Sequence, residues 1–314
     1  MSKFQLQITI PEELDGKRLD QALATLCPEH SRSRIQSWIK SGEVTVNNSN
    51  YKQRDEVRSD DKIVIDAELQ FVDSYEPEDI ELDIVYEDDA IIIVNKPAGL
   101  VVHPGAGNPN HTLVNALLNF DSTLEAIPRA GIIHRLDKDT TGVMVVARTL
   151  ESHTFLVNQL QERIIKREYQ TIVCGQLISG GSIENKMGRH PVHRTKMAVT
   201  NSGKVATTHY KILKKYQHYT HLHVQLETGR THQIRVHMSH IKHPIIGDPV
   251  YGNNKSIRKG VTPALREIIT GFSRQALHAF SLELPHPATK ERMKFTADLP
   301  EDMTALIEAL NQYD

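Results

Sequence analysis

Apolar residues recur at helical spacing in Arg18 to Leu26 (RLDQALATL) and Arg34 to Ile39 (RIQSWI), which predicts two short helices. Ser33 stands in the N-cap position of the second, and Gly42 stops it. Glu43 to Val46 and Lys62 to Ile65 then read as strands, so the first unit runs helix, helix, strand, strand. Further on, Ile84 to Tyr86 and Ile91 to Asn95 flank the turn Glu87-Asp88-Asp89, a hairpin signal. Thr112 to Leu118 predicts a short helix, Gly142 to Ala147 an apolar strand, and Glu151 to Arg163 an amphipathic helix with Phe155, Leu156 and Leu160 on one face. Strands are expected at Tyr169 to Cys174, Ala206 to Leu213, His221 to Leu226, Ala276 to Leu284 and Met293 to Ala297, and a closing helix at Met303 to Leu310. The alternation is not a regular βαβ series. It predicts an α+β fold with a large mixed or antiparallel central sheet.

Composition sharpens the division into parts. Residues 66–89 hold 11 Asp or Glu and no Lys or Arg. Such a run repels itself and cannot lie against phosphates, so it reads as a linker or as a face turned from any anionic partner. The expected domains are 16–66, an acidic linker at 67–83, and a large domain at 84–314. The net charge of −2 over 314 residues looks unfavourable for nucleic acid, but it averages unlike parts. Without residues 66–89 the rest carries +9, and residues 163–215 alone carry +9, from 11 Lys or Arg against Glu168 and Glu184. His190, His193, Arg194 and Lys196 lie in that basic stretch.

Two cysteines, Cys27 and Cys174, exclude a disulfide scaffold and a four-cysteine zinc site. No apolar run of about 18 residues is present, so no transmembrane helix is expected. The N-terminal residues have no basic start followed by an apolar run, and cytoplasmic residence is the default.

Three segments carry candidate chemistry. HRLDKDTTG, His134 to Gly142, sets Asp137 and Asp139 beside Arg135. A carboxylate next to a guanidinium stays ionised and can act as nucleophile or base, although a capped turn is the commoner use of such a segment. LETGRTHQIRVHMSHIKHPIIGDPVYG, Leu226 to Gly252, holds Arg230, His232, Ile234 and Arg235. His237, His240 and His243 recur every three residues, but no acidic residue is interleaved as metalloprotease spacing requires. KREYQTIV, Lys166 to Val173, opens a strand with Tyr169, a core residue or a platform for a base, where stacking is worth about 1–3 kcal/mol.

Together with NKPAGLVVHP (Asn95 to Pro104) and GIIHRLDKDTTGVMVVA (Gly131 to Ala147), these segments resemble the RluA family of RNA pseudouridine synthases from Ile84 to the C-terminus. The N-terminal unit resembles an S4 RNA-binding domain. Within the family the chain looks most like the synthases of large-subunit ribosomal RNA, with branches that modify other rRNA positions as the nearest competitor. The resemblance implies the pseudouridine synthase fold and a catalytic carboxylate at Asp137, with Asp139 in a position the family does not use. It implies that Arg235 pairs with Asp137, that Tyr169 stacks on the uracil, and that Ile234 packs on its other side. Arg135 then fills the stack left by a flipped uridine. His134, Arg230, His232, Arg194 and Lys196 are expected to face RNA, with Arg32, Arg34 and Lys40 of the S4 unit contacting phosphates. No cofactor and no metal are called for, and a monomer is the default. Two other classes remain: a non-catalytic S4-type ribosome-assembly factor, and a metal hydrolase built on His237, His240 and His243.

Overall fold

The computed structural model describes residues 3–27, 32–68, 75–105, 107–252, 257 and 259–314. It divides into two compact units, Met1–Ser74 and Tyr75–Asp314.

The first unit opens with a strand, β1 (Lys3–Thr9), ahead of helices α1 (Leu19–Leu26) and α2 (Arg32–Ser41). Strands β2 (Val44–Val46), β3 (Ser49–Asn50) and β4 (Lys62–Glu68) complete a sheet of order β1-β4-β2-β3. The compact unit thus extends N-terminally of residue 16 by one strand. β1 pairs with all of β4, from Lys3 opposite Glu68 to Thr9 opposite Lys62. Its signal is the period-2 alternation of Phe4, Leu6 and Ile8, which pack on the unit's core. That core joins Leu19 and Leu23 of α1, Ile35, Trp38 and Ile39 of α2, and Val44, Val46, Ile63 and Ile65 of the sheet.

The second unit is built on a ten-stranded sheet. Its strands are β5 (Ile84–Glu87), β6 (Ile91–Lys96), β7 (Thr141–Ala147), β8 (Lys166–Cys174), β9 (Gly181–Arg189), β10 (Met197–Val199), β11 (Lys204–Lys215), β12 (Tyr219–Leu226), β13 (Leu277–Pro285) and β14 (Arg292–Thr296). The order is β10-β9-β11-β12-β8-β13-β7-β6-β5, with β14 on β13. One pair, β13 with β7, is parallel and the other pairs are antiparallel, so the sheet is mixed. Ile91 to Val94 of β6 and Val143 to Ala147 of β7 are continuous apolar runs because both their faces are covered. Ile92, Val94, Met144 and Val146 enter one core, while Ile91, Ile93, Val143 and Val145 enter another beside helix α4 (Leu150–Gln161).

Helices α3 (Leu113–Phe120), α5 (Gln233–His240), α6 (Pro263–Gly271) and α7 (Glu301–Tyr313) complete the unit. Thr112 and Asn115 form a capping box on α3, and Thr149 caps α4 by accepting from the Ser152 amide at 3.0 Å. The acidic segment is not wholly a linker: Tyr75, Leu82 and Ile84 pack against the large unit's core. No helix among the described residues is long and apolar enough to cross a membrane.

Candidate active site

Asp137 sits in the turn that feeds β7. The turn is closed by the Thr140 amide donating to the Asp137 carbonyl at 3.1 Å. Side chains from three places clamp its backbone and hydroxyls. Lys96, at the end of β6, donates to the Lys138 carbonyl at 2.9 Å. Arg274 and Gln275, just before β13, donate to the Asp139 carbonyl and the Thr140 hydroxyl. His278 of β13 bonds the Thr141 hydroxyl at 2.8 Å. Gly142 is fixed by the parallel pairing: at φ +114 a Cβ there would lie 2.1 Å from the Ala279 carbonyl oxygen.

Lys96 is 1% exposed, and Nζ also donates to the Pro97 and Leu100 carbonyls. Burial pushes its pKa down to about 7, against the pull of Asp139 and Asp137.

The partner of Asp137 comes from α5. Arg235 Nη1 donates to Asp137 Oδ2 at 3.0 Å. The same guanidinium donates through Nε and Nη2 to the two oxygens of Asp248, at 2.8 and 2.9 Å. Asp248 is held in turn by the amides of Val250 and Tyr251. Burial opposes charge on both groups. The mutual hydrogen bonds outweigh it, raising the guanidinium pKa and lowering that of the Asp248 carboxyl. Among the described residues, Asp137 accepts that one side-chain bond and Oδ1 faces His232 Nε2 at 3.9 Å. The Asp137 side chain keeps 17% of its surface exposed, against 5% for Arg235.

Tyr169 lies on β8 and is buried. Burial pushes its phenol above the ordinary pKa; the Arg167 charge opposes this and the Asp137 charge adds to it. Ile234 on α5 is buried in the same core cluster as Tyr169. Arg135 is exposed two residues before Asp137. His134 faces inward instead: its Nε2 accepts from the Val145 amide at 3.3 Å, and burial followed by the charge of Arg167 drives its pKa down to about 3. It is a neutral group tied to β7.

The remaining expected RNA contacts divide. Arg230 and Arg194 are exposed. Lys196 donates to the Val250 carbonyl at 3.2 Å. In the basic stretch Arg163 pairs with Glu227, Lys166 pairs with Glu283, and Arg167 is buried. The outward-facing charge therefore comes from later positions, among them Lys186, Arg189, Arg194, Lys204 and Lys211. In the first unit Lys40 is exposed, Arg32 is hydrogen-bonded to Asp20 at 2.8 Å, and the Arg34 side chain lies outside the described residues.

The three spaced histidines do not converge. His237 bonds the Thr208 hydroxyl, His243 bonds the Cys174 carbonyl, and His240 is exposed. No group of three His, Cys, Asp or Glu positioned to hold a metal occurs among the described residues.

Asp248, Tyr251 and Lys96 escaped the sequence reading. Asp248 had a signal: it is the sole acidic residue in 228–252, and a buried helical arginine in that segment needs a carboxylate.

Two family models match the chain: RNA pseudouridylate synthase over residues 90–240 and S4 domain over 17–63. The chain is 54% identical over 309 residues to a ribosomal large subunit pseudouridine synthase D of Pseudomonas aeruginosa, covering 98% of this chain and 97% of that one. It is 50% identical over 309 residues to the protein of that name from Escherichia coli K12, covering 98% and 95%. Among solved structures it is similar to human RNA pseudouridylate synthase domain containing 4, with a TM-score of 0.58 and 25% identity over 73% of this chain and 92% of that one.

Proposed function

The chain belongs to the RNA pseudouridylate synthases and carries an S4 domain, and from that premise we propose that it converts uridines of large-subunit ribosomal RNA to pseudouridine with Asp137 as the reacting carboxylate. The observation that carries the assignment is the state of Asp137. One oxygen is fixed by a guanidinium and the other faces a partly open site. Among the described residues no arginine fixes the Asp139 carboxylate; only its backbone carbonyl accepts, from Arg274 in the clamp of the turn.

The reaction breaks the N1–C1′ bond of uridine, turns the uracil, and joins C5 to C1′ with loss of the C5 proton. Asp137 serves either as nucleophile at C1′ or as base toward the C2′ proton. Arg235 orients it. Tyr169 and Ile234 bracket the uracil, and Tyr169 lies within reach of the C5 proton late in the reaction. Arg135 occupies the gap in the stack left by the extruded nucleotide. The substrate is rRNA or a precursor ribosomal particle, at the loop of the stem that bridges the subunits, and the protein acts as a cytoplasmic monomer. The S4 unit spans 16–66 extended by β1, and its Lys40 and Arg32 position the RNA.

The test is tritium release from rRNA labelled at uracil C5. Wild-type protein releases tritium, and Asp137→Asn does not while binding RNA within a few fold. Absence of release by wild type from a precursor particle, or an inactive Asp139→Asn beside an active Asp137→Asn, overturns the reading.

A further inference from the structure

Tyr251 stands at the junction of three parts of the large unit. Its phenol oxygen accepts from the Met197 amide of β10 at 2.9 Å. The same oxygen lies 2.8 Å from His232 Nδ1. Its ring meets the His232 ring edge-on at 5.6 Å and lies under the Arg235 guanidinium at 5.1 Å. His232 itself is unusual. It precedes α5 in the left-handed region, at φ 57, which a non-glycine residue adopts only where its surroundings hold it.

Counting hydrogens favours one direction for this chain. The Met197 amide can only donate, so the phenol oxygen accepts there. The phenol hydrogen then has one acceptor among its described partners, His232 Nδ1. A ring nitrogen that accepts leaves the proton on the other nitrogen, so Nε2 carries it. That N–H faces Asp137 Oδ1 at 3.9 Å, across a gap that a ribose hydroxyl or a small shift closes.

We propose that Tyr251 is a positioning residue that holds His232 as an Nε2–H donor toward Asp137 and links the strand β10 to the reacting carboxylate. The inference rests on the reading of Asp137 given above and deepens it. Lys196, just before β10, donates to the Val250 carbonyl, so the start of β10 and the residue before it grip the 248–251 loop. The loop carries Asp248, which fixes Arg235, and Tyr251, which fixes His232. Both side chains flanking Asp137 are thus set by one loop, and that loop is tied to the strand that follows exposed Arg189, at the end of β9, and Arg194, in the turn between β9 and β10.

The charged and titratable groups facing His232 are Asp137 and Arg135 from the turn before β7, Arg235 from α5, and Asp248 and Tyr251 from the following loop. Burial lowers the ring's pKa first of all, with Asp137 opposing. A donor on Nδ1 favours the neutral ring further, so removing it lets the ring protonate at higher pH. A protonated ring pairs with Asp137 and withholds the carboxylate from substrate.

Tyr251→Phe keeps the ring beneath Arg235 and removes the hydroxyl. It is expected to slow single-turnover tritium release about tenfold at neutral pH, with RNA affinity unchanged. The acid limb of its pH profile moves up by about one unit. In a His232→Gln background, which keeps a donor at the ε position, the same substitution leaves the limb in place. Nitrogen-15 NMR of folded wild type reads the tautomer without any reaction and should show Nε2–H. A wild-type limb in Tyr251→Phe, an equal shift in the His232→Gln background, RNA affinity falling in step with rate, or Nδ1–H in wild type overturns the proposal. Wild-type and Asp137→Asn rates in the same assay test the underlying reading separately.

Discussion

Asp20 in the small unit and Asp137 in the large one are both aspartates held by arginine, and they differ in what is left unbound. Asp20 is fully buried and, among the described residues, accepts four side-chain bonds, two from Arg18, one from Arg32 and one from Gln36. Burial would raise its pKa, but those donors hold it below the ordinary carboxylate value. Asp137 accepts one bond from Arg235, whose other two donors go to Asp248. A saturated carboxylate joins α1 to α2. A half-saturated one, beside an arginine that is itself immobilised, is available for chemistry. Arginine beside aspartate is therefore no mark of a site until the acceptor capacity is counted.

The largest expected effect crosses the two. Asp137→Asn should cut tritium release by at least about 10³-fold while leaving the thermal midpoint nearly unmoved. Asp20→Asn should do the reverse. Equal losses of activity from both would erase the distinction. Arg235→Lys comes next, because a lysine cannot bond Asp248 through two nitrogens and reach Asp137 as well. A rate loss of about tenfold to hundredfold is expected, together with reduced stability. A variant that kept its rate would show that Asp137 needs no fixed arginine.

The sequence made the acid-bearing turn legible, and hid much of what fixes it. HRLDKDTTG set two acids, Asp137 and Asp139, beside Arg135, and the resemblance to the pseudouridine synthases chose Asp137 between them. Lys96, Arg274, Gln275 and His278, which clamp the turn, come from residues far along the chain, and contacts at that separation leave no local pattern. β6 and β7 were readable from their apolar runs. α5 was not: Ile234, Val236 and Met238 alternate at the period of a strand, yet they lie on a helix buried from Gln233 to Met238. β9 was missed because Gly181 to Arg189 exposes most of its residues, which leaves little apolar signal, and β10 because Met197 to Val199 is too short to show a period. β1 carried its alternation openly, but a start taken from the first helix passed over it.

The smallest effects concern how the saturated carboxylate is held. Asp20→Asn keeps the shape but turns an acceptor into a donor facing Arg18, Arg32 or Gln36. It should cost the small unit about 1–3 kcal/mol. Both arginines are partly exposed and can turn to water, which keeps the loss below that of a sealed ion pair. Trp38 is the only tryptophan and is buried in the same core, so its fluorescence in urea reports this unit. The pH dependence then separates charge from shape. A carboxyl whose folded pKa is lowered contributes stability that is fully present above the unfolded value, about 3.9, and lost as pH falls through the folded value. The other carboxylates are common to both proteins and cancel in the difference. The gap between wild type and Asp20→Asn should be constant near neutral pH and narrow below the ordinary carboxylate range. A gap that stays constant down to acid unfolding means that Asp20 acts by shape alone. Its likeness to Asp137 would then end at geometry.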